Sequence, residues 1–234
     1  MDKNHAVNPT RGALQRVATH VLARARFLST GKFGLRATPG GFGTPAFGAD
    51  VEVLRVSGLS LVRERAGRAS ATPLDGSTLD QLAAFVDTDL AAPFDVGPDT
   101  PDLGDPSQPL ALDGPTAYVL ADWWELGVQV LDSVIAAAPD AMAVQLWPEH
   151  FDVGTSVAVG HGETARCNLG ASPGDASTEE PYLYVGPWAA ERPGDASYWN
   201  APFGAVVTRS QLMAADDPLA AGVAFARRGV ELLS

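Results

Sequence analysis

Between Leu146 and Trp188 the chain alternates apolar and polar residues with a period of two, so this stretch reads as extended sheet. Successive side chains of a strand point to opposite faces, which divides the stretch into two sets. His150, Asp152, Gly154 and Ser156 share one face, and Phe151, Val153, Thr155, Val157 and Val159 share the other, which reads as core. Arg166, Asn168 and Gly170 fall together on a second strand. Tyr182, Tyr184, Gly186 and Trp188 fall together on a third, opposite Leu183 and Val185.

Whether the polar sets meet depends on one hairpin. If Gly160–Glu163 closes a tight turn, Thr155 opposes Asn168 and the polar residues scatter. An odd-length loop of three or five residues, with a glycine bulge, instead brings Asn168 beside Gly154 or Asp152. A one-residue slip flips every side chain, and the sequence leaves both registers open.

In the second register, His150, Asp152 and Asn168 line one surface. An H-x-D pair on a strand can ligate a divalent metal, with His161, Asp175, Glu179 or Glu180 as further donors. It can equally orient a general base, the carboxylate fixing the imidazole. A third reading is structural, with His150 bonded locally and Asp152 capping a turn or pairing with an arginine. No H-E-x-x-H, paired C-x-x-C or phosphate loop accompanies the pair. Pro39-Gly40-Gly41 lacks the lysine of a phosphate loop, and Gly170–Gly174 lacks the spacing of a nucleophile elbow. No cofactor is strongly implied. Cys167, the only cysteine, reads as a small core residue. Asn168, Tyr182, Tyr184 and Trp188 are the candidate binding residues, because amphipathic rings beside an amide suit a shallow, partly wet pocket for an apolar or sugar-like ligand.

The 234 residues carry a net charge of −12, unevenly spread. Residues 1–36 hold seven Lys or Arg against one acid, and the rest hold nine basic against 27 acidic groups. A body this acidic repels phosphate backbones and disfavours nucleic-acid partners. No apolar run approaches the roughly 18–20 residues that span a bilayer, and the polar Met1–Arg11 lacks the apolar region of a secretory signal. With its single cysteine, this sets the expectation of a cytoplasmic protein without membrane partners.

Elsewhere the pattern predicts a helix over Thr10–Leu28, with Leu14, Val17, Val21, Leu22, Ala25 and Leu28 inward and Arg16, His20 and Arg24 on another stripe, His20 reading as a solvated or edge histidine and the basic helix as docking on the acidic body or facing solvent. Phe33–Gly48 reads as strand–turn–strand, Val51–Arg55 with Leu59–Glu64 as a hairpin, and Arg68–Thr72 as a further strand. Thr78 with Gln81 fits a capping box. The proline- and aspartate-rich residues 94–113 read as an irregular linker or cover loop. Thr116–Ala137 is the strongest helix, with Trp123 and Trp124 on its apolar stripe. Gly204–Arg209 reads as a strand, and Asp217-Pro218 starts a last helix. Helical and strand blocks are segregated, which predicts a single α+β domain over 1–234, a mostly antiparallel sheet with three to four helices.

Three segments carry a resemblance: Trp147-Pro148-Glu149-His150-Phe151-Asp152, Asn168–Asp175 and Glu180-Pro181-Tyr182-Leu183-Tyr184-Val185. Over residues 143–209 the chain resembles an uncharacterised actinobacterial protein family. It is more distantly similar to a domain-of-unknown-function family with W-x-x-x-F-D and E-P-x-x-Y-x-Y strands. The resemblance implies a recurrent fold unit and no particular activity. The leading expectation is a small-molecule-binding or accessory protein. The alternatives are a metal-dependent or acid–base hydrolase-like enzyme using His150 and Asp152, and a protein–protein interaction module using exposed aromatics.

Overall fold

The computed structural model describes residues 8–97, 99–160 and 165–234. The class is α+β with antiparallel pairing, and the strands fall into two five-stranded sheets rather than one. The chain forms two compact units, Met1–Asp122 with Leu146–Phe151, and Trp123–Gln145 with Asp152–Ser234.

The first unit opens on α1 (Pro9–Arg16), a π-helical segment (Val17–Ala23) and α2 (Arg24–Thr30), which run on without a break. Asn8 caps the start by accepting from Thr10 N and Arg11 N, and Pro9 supplies the preset φ of a first turn. Gly31, in the left-handed region at φ 70°, ends it. The inward stripe holds from Leu14 to Ala25, while Leu28 is exposed. The outward stripe departs from expectation, because His20 and Arg24 are buried. The cause is not solvent but the chain itself. Backbone carbonyls of the 90–105 region cover these side chains and accept their hydrogen bonds.

The first sheet is a meander: β1 (Arg36–Thr38), β2 (Gly41–Gly43), β3 (Val53–Ser57), β4 (Ser60–Arg65) and β5 (Arg68–Pro73). Alternation puts Phe42, Leu54, Val56 and Leu61 inside, with Arg63 farther along the same face and paired with Glu52 and Asp87, while Arg55, paired with Glu64, lies on the other face. The capping box of Thr78 and Gln81 forms as read and starts α3 (Leu79–Phe85). Residues 94–97 and 99–113 are irregular apart from the start of the next helix's cap. The segment Leu146–Phe151 belongs to this unit. Leu146 bridges Leu35, Thr19 Oγ1 donates to Pro148 O at 2.9 Å, and Phe151 packs edge-on to Phe42 at 5.2 Å.

Helix α4 (Gly114–Ile135) passes from one unit into the other. In the second unit, Trp123 and Trp124 are fully buried, and the Trp123 indole donates to Ser172 O at 2.7 Å. The second sheet runs β10-β9-β8-β7-β6, from β6 (Gln145–Trp147), β7 (Asp152–Ala158), β8 (Arg166–Ser172), β9 (Tyr182–Pro187) and β10 (Ala205–Thr208). Val153, Val157, Cys167, Leu169, Ala171, Leu183 and Val185 form its core face. Gly127 of α4 lets helix and sheet meet: a Cβ there would stand 2.5 Å from Ala171 Cβ. The short α5 (Arg209–Met213) has its own capping box from Thr208 and Gln211, and α6 (Pro218–Leu233) begins at the Asp217 cap. Among the described residues, no helix is long and apolar enough to cross a membrane.

Candidate functional site

The β7–β8 register pairs Ser156 with Asn168 and Gly154 with Gly170. This is the parity of the odd-length loop, displaced by one pair from Asn168 beside Gly154. Asp152, Gly154 and Ser156 therefore share a face with Asn168, Gly170 and Ser172. The β8–β9 register adds Tyr182, Tyr184 and Gly186 to that face. The loop residues 161–164 lie outside the described residues, and with them the metal candidate His161.

The alternation of this face does not extend to His150. The strand begins at Asp152, preceded by a turn in which Phe151 takes φ 59°. A positive φ at a bulky residue breaks the two-residue alternation, so the sequence pattern cannot be extended back through it. The Phe151 ring is committed to Phe42, and His150 is left exposed in the turn of the first unit.

On the remaining face, Gly170 is the pivot. A Cβ at this position would lie 2.4 Å from the end of the Tyr184 ring, so only glycine lets the ring lie across β8. From there the Tyr184 hydroxyl donates to Asp152 Oδ2 at 2.6 Å. Burial, the Asp152 charge and this hydrogen bond all push the Tyr184 pKa well above its usual value. Tyr182 is locked likewise by donation to Asp175 Oδ2 at 2.6 Å. Burial favours a neutral Asp175, but hydrogen bonds from Ser177, Tyr182 and Thr178 outweigh it and hold the carboxyl below its usual range. Both phenols are fixed donors to carboxylates and stay protonated, which suits holding a surface rather than abstracting protons.

The aromatic series continues outward along β9. Tyr182 and Tyr184 are tilted with centroids 6.3 Å apart, and Phe203 meets Tyr184 edge-on at 6.3 Å. Phe203 lies beside Gly186, its ring 4.0 Å from the Cβ position there. Beyond it, Trp188 is 53% exposed and Phe203 42% exposed. The Trp188 indole is not free to swing, because its Nε1–H donates to Asn168 Oδ1 at 2.8 Å. Arg166 lies at the same end, opposite Trp188, whose backbone N–H donates to Arg166 O at 3.0 Å, and it donates to Ser156 Oγ at 2.9 Å and to Ser156 O at 2.8 Å.

Of the residues read from sequence, Asp152, Asn168, Tyr182, Tyr184 and Trp188 are thus brought to one sheet face. Phe203 was missed, since it arrives from a loop before β10 that no periodicity connects to β9. Cys167 sits on the opposite, core face, and burial pushes its thiol up to about 12. Among the described residues, no group of three or more His, Cys, Asp or Glu is placed to hold a metal ion. No family model matches the chain, and no curated protein or solved structure is similar to it.

Proposed function

We propose that the chain is a binding protein whose second unit seats a small amphipathic ligand on the β7–β9 face. The observation that carries this reading is the exposed Trp188 indole, held in one orientation by Asn168. An aromatic ring fixed in advance gives contact area without the entropy cost of ordering it on binding. Phe203 and the edge of Tyr184 extend the apolar surface, while Asn168 supplies a polar group at its margin. Flat apolar rings and sugar rings both fit such a surface, with their faces on the indole and their polar edges toward the amide.

A fragment screen read by amide and indole NMR shifts tests the proposal. Neutral amphipathic fragments are expected to move Asn168, Gly170, Tyr184 and the Trp188 indole together, and Trp188→Ala to abolish those shifts. Fragments that cluster elsewhere, or that still bind after Trp188→Ala, would overturn it.

A further inference from the structure

The first unit carries a device independent of that ligand face. Arg16, His20 and Arg24, spaced four apart along the N-terminal helix, all point at one irregular strap, residues 88–97 and 99–106. Arg16 donates to Leu103 O at 2.9 and 2.7 Å and to Asp105 O at 3.0 Å. His20 Nε2 lies 2.8 Å from Pro101 O. Arg24 donates to Leu90 O at 2.9 Å and Ala92 O at 2.6 Å, with its guanidinium 4.8 Å above the Phe94 ring. Three side chains of one helix thus hold five carbonyls of a segment with no regular structure of its own. The central one lies in the π-helical segment, a distortion that recurs at functional positions.

The strap is also a wall. With α3 it encloses a groove of about 470 Å³, in which Thr88, Leu90, Leu103 and Pro106 face Asp80 and Ala83.

We propose that His20 is the latch of an acid-released strap: protonation of its imidazole, between two arginines, frees residues 88–97 and 99–106 and opens the groove they wall. Because the acceptor is a carbonyl, the neutral ring carries its proton on Nε2. Its Nδ1 is buried with no hydrogen-bond partner among the described residues, and the residue is only 3% exposed. A second proton would sit on that nitrogen, with no acceptor and a guanidinium on either side along the helix. An unpaired charge so placed is far costlier than an unpaired lone pair.

Among the described residues, the charged groups nearest His20 lie on its own helix, on the strap and on the elements packed against it. Arg16 and Arg24 flank it on its own helix, and Arg24 is itself only 5% exposed. The strap brings Asp89 toward Arg24 and Asp105 toward Arg16, with Asp102 beside Pro101. Of the other elements packed on the π-helical segment, α3 carries the exposed Asp80 and β2 carries no charge. The turn that accepts from Thr19 adds Glu149 and His150. Burial lowers the His20 pKa from its ordinary 6.5 and the charges of Arg24 and Arg16 lower it further, while the backbone of Pro101 and, less, of Asp102 opposes this without cancelling it. The released strap, with a solvated imidazole, therefore takes the proton first. Closure is fully favoured above pH 6.5 and is lost as pH falls from there toward the lowered value. The opening constant grows by up to about tenfold per pH unit in that window. Asp105, held below the usual carboxylate range by Ser107 and Gln108, stays charged throughout it.

Hydrogen exchange of the whole chain, corrected for the intrinsic pH dependence of exchange, tests the latch. Between pH 7.5 and 5, strap amides in residues 88–106 are expected to lose protection by up to about tenfold per unit below 6.5, while β4 amides do not. In His20→Gln the strap's protection becomes independent of pH. A strap whose protection does not change, or a His20→Gln variant with the same response, would sink the proposal. If that variant does not fold, NMR titration of the imidazole in otherwise native protein decides the matter, assigned by replacing His5, His150 and His161. A His20 that titrates below 6.5 supports the latch, and one at or above 6.5 overturns it.

Discussion

The Tyr184 hydroxyl reaches Asp152 Oδ2 at 2.6 Å from the far side of β8, across a strand that has only hydrogen at Gly170 to let the ring pass. Hydrogen bonds to charged acceptors contribute about 1.5–3 kcal/mol, so Tyr184→Phe is expected to destabilise the fold by that order. Urea unfolding measures it, with an unchanged m-value confirming that only stability moved. A loss under about 0.5 kcal/mol would mean the bond is solvent-compensated and not a fixed part of the face.

Gly170→Ala acts on the same bond from the other strand. The new methyl would stand 2.4 Å from the ring, so the ring must leave and its hydrogen bond with it. The two substitutions are therefore expected to be non-additive. Gly170→Ala should cost less on the Tyr184→Phe background by at least about 0.5 kcal/mol in a double-mutant cycle. Additive costs would show that the ring accommodates the methyl without moving.

How much of this face could be read in advance depended on where alternation survives. From Asp152 to Ala158, from Arg166 to Ser172 and from Tyr182 to Pro187 the period of two holds without a break, so core and polar faces separate on paper. Only parity had to be added, and the loop between Val159 and Ala165, closed by the Val159 N to Ala165 O bond, is odd. The pattern failed at Phe151, where one left-handed residue turned His150 away from the strand it seemed to begin. It failed differently at His20 and Arg24. A polar stripe on a helix can face solvent or dock on the rest of the chain; here it is met by the carbonyls of an irregular segment, and no periodicity marks a segment as the partner of a helix. The caps were legible because a cap is local: Thr78 with Gln81, and Asp217 with Pro218, need nothing beyond four residues of sequence.

Gly127 is expected to resist replacement although it lies within a helix. Alanine there gains about 1 kcal/mol of helix propensity. Against this, its Cβ would meet Ala171 Cβ at 2.5 Å and Val153 Cγ2 at 2.9 Å. Overpacking of this kind costs about 1–3 kcal/mol, so Gly127→Ala should be net destabilising. Ala171→Gly in that background removes the nearer clash and should recover part of the loss. A Gly127→Ala variant as stable as the parent in thermal unfolding would show that α4 can lift from the sheet at no cost.

Cys167 gives a prediction with a defined pH window. Its thiol faces the core between Val157 and Pro187, and burial pushes it up from 9.0 to about 12, the nearby Arg166 charge opposing this only in part. The thiolate is the reactive form, so a disulfide reagent at pH 8 should modify the unfolded chain and leave the folded one untouched. The same shift sets the alkaline limit of stability. Because the folded pKa is raised, the contribution is complete below 9.0, and it declines as pH rises through the interval to about 12, where only the unfolded chain has lost the proton. The slope is at most about 1.4 kcal/mol per pH unit. Tyr182, Tyr184 and Tyr198 are also raised, from 10.0, so they add to the loss only above that value. The window from 9 to 10 therefore belongs to the thiol. Cys167→Ala should flatten stability across it while leaving the steeper fall at higher pH in place. Equal slopes for parent and variant between pH 9 and 10 would show that the thiol ionises as readily in the folded protein as in the unfolded chain.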